Sequence, residues 1–293
     1  MKVQGGNYQE VIANLNNLFI RNLWSDGLPF QPPTEERVSW LVTGTDLPRE
    51  KVVGGGIILP RGGAATVENL AIALAMAGGR PEYMPILVAI VEAIIDPAFK
   101  QQIMNATTCS VYPTVVVNGP VAKQVRLNSG YGALGPDPRH PAGACIGRAI
   151  RLLVLNVGGS LPGSGTMSIF GGPGRYASVV FAEDEDGLPS DWEPLSVERG
   201  FPRGSNTVTV FNSGGASNIN IIAKAQPPME QSMMNTLDGY AGFMSIPSIN
   251  SLEGAYAPGQ DAGLLVIPRG VAGDLSRTGW PKARVKAYLW DKA

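Results

Sequence analysis

The stretch of residues 64–96 constrains the fold of this chain most, because it consists of two apolar segments joined by a short polar turn. Thr66 is a suitable N-cap for a first helix over residues 67–77. Gly78 and Gly79 end that helix, Pro81 cannot continue it, and Pro85 fits the first turn of a second helix. Residues 78–83 should therefore form a tight turn between two buried helices.

This turn holds the first two candidate site residues, Arg80 and Glu82. In a functional interpretation, Arg80 binds an anion and Glu82 is a general acid or base. In a structural interpretation, both side chains cap helix ends and pair with other side chains. The sequence leaves both interpretations open and favours the structural one.

Composition excludes several classes of protein. The chain has 293 residues, of which 44% are hydrophobic and 16% are charged, and its formal net charge is −1. The low charged fraction indicates much buried surface and predicts a homo-oligomer. The near-neutral charge leaves no basic surface for nucleic acid, and no apolar run reaches the roughly 18 residues of a membrane span.

Cysteine and histidine are scarce. Cys109 and Cys145 are too few for a disulfide framework or an iron–sulfur site, and a single histidine, His140, argues against zinc sites and a Ser-His-Asp triad. We expect His140 to have a surface or capping role rather than a catalytic one. No nucleotide-binding fingerprint occurs, so no cofactor is predicted. The N-terminus lacks the apolar core of a signal peptide, which predicts a cytoplasmic protein.

Hydrophobic periodicity predicts the fold class. Apolar residues recur at helical spacing over residues 8–23 and 143–157, and Thr34 caps a further helix. Five segments read as strands: 53–59, 113–117, 176–182, 207–211 and 263–267. The pattern predicts an α/β fold with a mixed sheet flanked by helices, helix-rich before residue 110 and richer in strands after residue 165. It suggests two lobes, 1–160 and 161–293, or a single domain.

Polar side chains follow the clearest buried strand. Asn118 comes directly after residues 114–117, and ligands bind outside the carboxyl ends of strands in open α/β sheets. Asn128, Ser129 and Tyr131 lie in the following Gly-rich loop and are predicted to donate hydrogen bonds to a ligand. The alternative for Asn118 is a turn in which its side chain bonds its own backbone.

The helix at residues 143–157 carries Arg148 and Arg151 three residues apart, so the two share a face with Cys145. Arg148 is predicted to bind an anionic substrate group. In a functional interpretation, the nearby arginines lower the pKa of the Cys145 thiol. The alternative, which we favour, is a small buried cysteine beside two structural arginines.

An acidic run at residues 183–186 follows a predicted strand. Its carboxylates are suited to a divalent cation, although most such runs are solvated loops, and no metal is assigned here. Glu183 is the member most suited to a buried role. Glu198, further along the chain, is a second candidate for proton transfer.

Several short segments resemble an uncharacterised bacterial protein family. They are residues 25–29, 32–38, 77–85, 117–120, 146–149, 192–194, 197–201, 279–280 and 288–290, which span nearly the whole chain. That family is associated with small proteins bearing a Sec/Cys-Gly-Ser-Cys motif. The resemblance implies redox or carbon–sulfur chemistry with a thiol or selenol partner protein.

The chain departs from the family pattern at two places. Gly79 stands where the family has a cysteine, and Pro268-Arg269-Gly270-Val271 stands where it has Pro-Glu-His-Ala. Both differences remove a nucleophile or an acid/base group. They argue against thiol chemistry by this chain itself.

Three functions compete on this reading. The favoured one is a lyase or hydrolase for a small anionic or amide-bearing metabolite, in which Arg80 and Arg148 bind the anion. Glu82 or Glu198 then moves a proton, and Asn118 and Tyr131 donate to a developing oxyanion. The second is a non-catalytic subunit that binds a ligand or a thiol or selenol protein. The third is a metal-dependent hydrolase that uses Glu183, Asp184 and Glu185.

Overall fold

The computed structural model describes residues 2–175, 177–215, 234–235, 237–239, 241 and 264–292. The chain divides into two compact units, Met1–Ala182 with Asn206–Ser213, and Glu183–Ser205 with Gly214–Ala293. The division therefore follows residue 182 rather than residue 160. Residues 206–213 return to the first unit because they form a strand of its central sheet.

The first unit contains both helices and strands. Its described helices are α1 (Tyr8–Arg21), α2 (Glu35–Val42), α3 (Val67–Met76), α4 (Met84–Ile95), α5 (Ile103–Ala106), α6 (Pro120–Gln124) and α7 (Pro141–Asn156). Its described strands are β1 (Val52–Ile58), β2 (Gly63–Thr66), β3 (Tyr112–Asn118), β4 (Val179–Ala182) and β5 (Thr207–Ser213). β1 and β2 form an antiparallel pair.

A three-stranded mixed sheet forms the centre of this unit, in the order β4-β3-β5. β4 runs parallel to β3, with Val117 opposite Ala182, and β5 runs antiparallel, with Asn118 opposite Thr207. Every residue of β3 is buried, as expected for a central strand of apolar and β-branched residues. Helix α7 packs against β4 and α4 packs against β5, which confirms the predicted α/β fold.

Two glycines allow α7 to lie directly on β4. A Cβ atom at Gly143 would stand 2.5 Å from the carbonyl oxygen of Val180, and one at Gly147 would stand 2.4 Å from that of Ser178. Backbone atoms cannot move aside as a flexible side chain does, so only glycine permits this approach. The close packing fixes the start of α7 relative to the sheet.

Capping residues and proline set the starts of α2, α3 and α4, as predicted from the sequence. The side chains of Thr34 and Thr66 accept hydrogen bonds from the backbones of Arg37 and Asn69, so both are N-caps. Pro85 lies in the first turn of α4, where a missing N–H costs nothing. Most of α3 and α4 is buried, because both are apolar on nearly every side.

The second unit is helical in its described part. Its α-helices there are α8 (Leu195–Glu198), α9 (Arg269–Arg277) and α10 (Lys282–Lys292), and they surround a core with Trp192, Leu275 and Trp280 at its centre. The strand predicted at residues 263–267 is wrong for the described residues 264–267, which have no regular structure. Leu265 and Ile267 pack against the helical core instead.

The sequence also predicts an apolar segment at residues 218–223 and a helix at residues 227–240; the first and most of the second lie outside the described residues. Of the five strands in the described residues, three precede residue 165 and two follow it. In the part of the chain that the structure describes, no helix combines the length and apolar character needed to cross a membrane.

Candidate functional site

The Gly-rich loop of residues 127–140 lies at the carboxyl end of the parallel strand pair. The N–H of Ala182, the last residue of β4, donates to the carbonyl oxygen of Asn128 at 2.9 Å. Ala182 stands opposite Val117, which precedes Asn118 in β3. The loop therefore occupies the edge at which open α/β sheets bind ligands.

This loop encloses a surface depression of about 330 Å³. We call it the loop depression, and it is lined by Leu127, Asn128, Ser129, Gly130, Tyr131, Arg139 and His140. Its volume is at the lower end of the range of small-molecule sites. The side chain of Tyr131 is 97% exposed, so its hydroxyl is available to a ligand.

Asp137 is the centre of a hydrogen-bond network beneath the depression. Its carboxylate pairs with Nδ1 of His140 at 2.8 Å and accepts from the backbone N–H of Arg139 at 2.9 Å. The side chains of Arg139 and Asn128 donate to it as well. The bond to His140, and then the bonds to Arg139, hold the pKa of the Asp137 carboxyl well below its usual range.

This network orients the imidazole of His140. Because Asp137 is ionised and only accepts, Nδ1 of His140 must carry the proton of their hydrogen bond. In the neutral imidazole, Nε2 is then the nitrogen with the lone pair, on a side chain that is one-third exposed. A histidine held by a buried carboxylate in this way is equipped to take a proton from a water molecule or a substrate.

Asn128 organises the loop. Its amide nitrogen donates to the carbonyl oxygen of Tyr131 at 2.9 Å, and its amide oxygen accepts from the N–H of Gly130 at 2.9 Å. The predicted ligand contacts of Ser129 and Tyr131 are compatible with their exposure in the loop depression. Asn118 lies at the same sheet edge but is fully buried and does not line the depression.

Arg148 lies elsewhere and has a different task from the one that the sequence predicts. Its Nε and Nη2 donate to the two carboxylate oxygens of Asp26, each at 2.9 Å, and its Nη1 donates to the carbonyl oxygen of Pro29 at 2.8 Å. The guanidinium thus holds residues 26–29 against α7. An anion-binding role requires these bonds to be given up.

Arg80 and Glu82 are exposed on the turn between α3 and α4, outside the loop depression. Within the described residues, neither side chain has a hydrogen bond or an ion pair, so they do not cap helix ends as the structural interpretation predicts. Gly79 has no room for the cysteine of the resembling family. A Cβ atom there would lie 2.2 Å from Cδ1 of Leu74.

Cys145, in the first turns of α7, is not an activated thiol. Burial raises its pKa, and the charges of Arg148, Arg80 and Arg37 oppose this only partly. The thiol is therefore protonated near neutral pH. This agrees with the favoured interpretation of Cys145 as a small structural residue.

Glu198 belongs to the second unit, where its carboxylate pairs with Lys282 at 3.4 Å and with Lys286 at 3.8 Å. Glu183 is partly buried rather than buried, and its carboxylate accepts from the N–H of Leu195 at 2.7 Å. The described residues hold no group of three or more side chains suited to a metal ion. The acidic run thus forms protein contacts there.

Asp137 and Arg139 are functional candidates that the sequence reasoning missed, and His140 is one for which it favoured a surface or capping role. The chain contains one histidine, and an aspartate lies three residues before it in a Gly-rich loop. The three-residue spacing of Asp137 and His140 is the sequence signal that could have indicated this pair. Sequence alone does not show that the loop folds back so that the two side chains meet.

No protein-family model, curated protein or solved structure matches this chain. The geometry of its own residues therefore carries the functional argument.

Proposed function

We propose that this chain is a hydrolase or a lyase for a small anionic or amide-bearing metabolite, and that the loop depression is its active site. The observation that carries the proposal is the 2.8 Å hydrogen bond between Asp137 and His140 at the wall of this depression. It supplies an oriented base, which a merely solvated loop does not need.

His140 takes the role that the sequence assigned to Glu82 or Glu198. Its Nε2 removes a proton from a water molecule in a hydrolase, or from a carbon atom beside a carbonyl group in a lyase. Asp137 stabilises the resulting imidazolium through the same hydrogen bond. Both roles are filled by side chains that already form a hydrogen bond in the loop.

Arg139 and the hydroxyl groups of the loop supply substrate contacts. The side chain of Arg139 is 73% exposed although it pairs with Asp137, so part of its guanidinium is open to an anionic group. Ser129 and Tyr131 are exposed in the same depression and donate to a carbonyl or carboxylate oxygen. These polar donors favour a small polar substrate.

Ligand binding tests the location of this site. We expect a small carboxylate or amide from a metabolite collection to raise the thermal midpoint of the wild-type protein, and Tyr131→Ala to abolish that rise. Tyr131 is a suitable position because its exposed side chain contributes little to stability.

Arg80→Ala is the matched control, since it removes an exposed side chain outside the depression. It should retain the ligand effect. A ligand whose effect is lost in Arg80→Ala and kept in Tyr131→Ala would move the site to the turn between α3 and α4.

A second function, a non-catalytic subunit that binds a thiol or selenol protein, is favoured by one surface segment. Met167, Ile169 and Phe170 are 59%, 68% and 98% exposed. The N–H of Ile169 donates to the carbonyl oxygen of Thr108 at 3.2 Å, which brings this segment beside the exposed thiol of Cys109. An exposed apolar segment can bind a partner protein, and the neighbouring Cys109 thiol would then lie close to a sulfur atom of that partner.

An oxidised Cys-Gly-Ser-Cys peptide is a direct probe of this second function. The Cys109 thiolate would attack one sulfur of the peptide disulfide, form a mixed disulfide and release the other sulfur as a thiolate. We expect mass spectrometry to detect this adduct in the wild-type protein, and Phe170→Ser to slow its formation about tenfold. An unchanged rate in Phe170→Ser would count against docking at this segment.

A homo-oligomeric state and a cytoplasmic location remain parts of the proposal. The low charged fraction of the chain supports the first.

A further inference from the structure

Two partly buried arginines face one small cavity at the other end of the parallel strand pair. Arg151 of α7 and Arg175, which follows the loop after α7, both line it. Tyr112, the first residue of β3, and Ser178, which precedes β4, complete its polar wall, while the remaining lining side chains are apolar. We call this space the arginine cavity.

Neutral groups hold both guanidinium groups in place. Nη1 of Arg151 donates to the carbonyl oxygen of Ser160 at 3.1 Å, and Nη1 of Arg175 donates to that of Met104 at 3.1 Å. Nη2 of Arg175 also donates to the hydroxyl of Ser160 at 3.4 Å. Ser160 is fully buried, so it anchors the two arginines together.

No carboxylate among the described residues forms an ion pair with either arginine. Burial lowers the pKa of Arg175 to about 10, and the nearby charge of Arg151 adds to this effect. Burial also lowers the pKa of Arg151, which the charge of Asp26 opposes only partly. Asp26 is itself bonded to Arg148.

Partial burial removes part of the hydration of a charge, and this cost is normally compensated by an opposite charge. Two like charges beside one cavity make this cost larger. Each guanidinium also has five N–H donors, and the bonds above use one donor of Arg151 and two of Arg175. The site therefore has both charge and donors to offer to an anion.

We propose that the arginine cavity binds one monatomic anion of the size of chloride between Arg151 and Arg175. The space available is about 20 Å³, which is room for roughly one water molecule. A halide fits that volume, whereas a phosphate or sulfate group does not. The anion would compensate one of the two positive charges and lock the segment of Arg175 to α7, independently of the proposed catalytic function.

A salt exchange tests this assignment. Replacing sodium gluconate by sodium chloride at constant ionic strength should raise the midpoint of thermal unfolding by about 5 °C in a saturable manner, and bromide should do the same. Arg175→Gln and Arg151→Gln should each abolish the chloride effect. Arg21→Gln, which changes an exposed arginine at the end of α1, should keep it.

A second prediction concerns the stability of Arg175→Gln in the absence of chloride. In gluconate alone, Arg175→Gln should be at least as stable as the wild-type protein, since it relieves the repulsion between two partly buried cations. Crystals soaked in bromide should show an anomalous peak between the two guanidinium groups. A water molecule in place of that peak, equal chloride responses in all variants, or stabilisation by phosphate but not by halides would overturn the assignment.

Discussion

Arg148→Met should lower the free energy of unfolding by about 3–5 kcal/mol. The carboxylate of Asp26 is only 5% exposed, and Arg148 donates to both of its oxygens. Methionine roughly preserves the length of the side chain but leaves a buried carboxylate without its cation. The carbonyl oxygen of Pro29 also loses its donor. Urea unfolding monitored by circular dichroism measures the change.

The double variant Asp26→Asn with Arg148→Met separates the ion pair from simple packing. Because the uncompensated charge is then gone, the double variant should recover part of the stability lost in Arg148→Met. Arg21→Met, at an exposed arginine of α1, should change the free energy of unfolding by less than about 0.5 kcal/mol. Additive losses in the double variant would show that the pair contributes no coupling.

The second large effect concerns catalysis. With a substrate identified by ligand binding, His140→Gln should lower turnover by about 10²- to 10⁴-fold, as expected for the loss of a general base. Asp137→Asn should lower it to a similar extent, because asparagine does not accept the Nδ1 proton with the strength of a carboxylate and does not stabilise the imidazolium. Steady-state kinetics of the two single variants and the double variant measure the effect.

The double variant decides whether the two residues act as a unit. If they do, it should be no slower than the slower single variant. Losses that multiply in the double variant would contradict the proposed pair. Glu82→Gln, on the exposed turn between α3 and α4, is the control and should leave turnover unchanged.

The pH dependence of stability offers an independent readout for Asp137→Asn. The pKa of Asp137 is depressed in the folded state, so the ionised group contributes stability that is fully present above its unfolded value of about 3.9. That contribution is lost as the pH falls through the lower folded pKa. The wild-type protein should therefore lose stability below about pH 4 more steeply than Asp137→Asn.

The resemblance to a thiol-linked bacterial family stays a prediction from sequence. Two of the segments on which it rests, residues 25–29 and 146–149, meet in the bonds between Arg148 and residues 26–29. Gly147 of the second segment lies where α7 touches β4. These residues are thus needed for packing, whatever reaction the protein performs.

Prediction from sequence was most successful where neighbours in the chain decide the outcome. Thr66, Gly78 and Pro81 delimit α3 and the following turn, and the apolar run before Asn118 forms the central strand. It failed at residues 264–267, because an apolar run packs equally well against helices and in a sheet, and periodicity does not distinguish the two.

The sequence by itself determined the approximate extents of α1, α3 and α7, the buried strand β3 and the α/β class, because backbone preference and hydrophobic periodicity act over a few residues. Only the tertiary structure decided the partners of the charged side chains. Arg148 binds Asp26 across 122 positions of the chain, and Arg151 meets Arg175 across a cavity. Such pairs depend on which elements pack together. From the sequence, Arg148 is predicted to bind an anion, whereas in the structure its guanidinium holds residues 26–29 against α7.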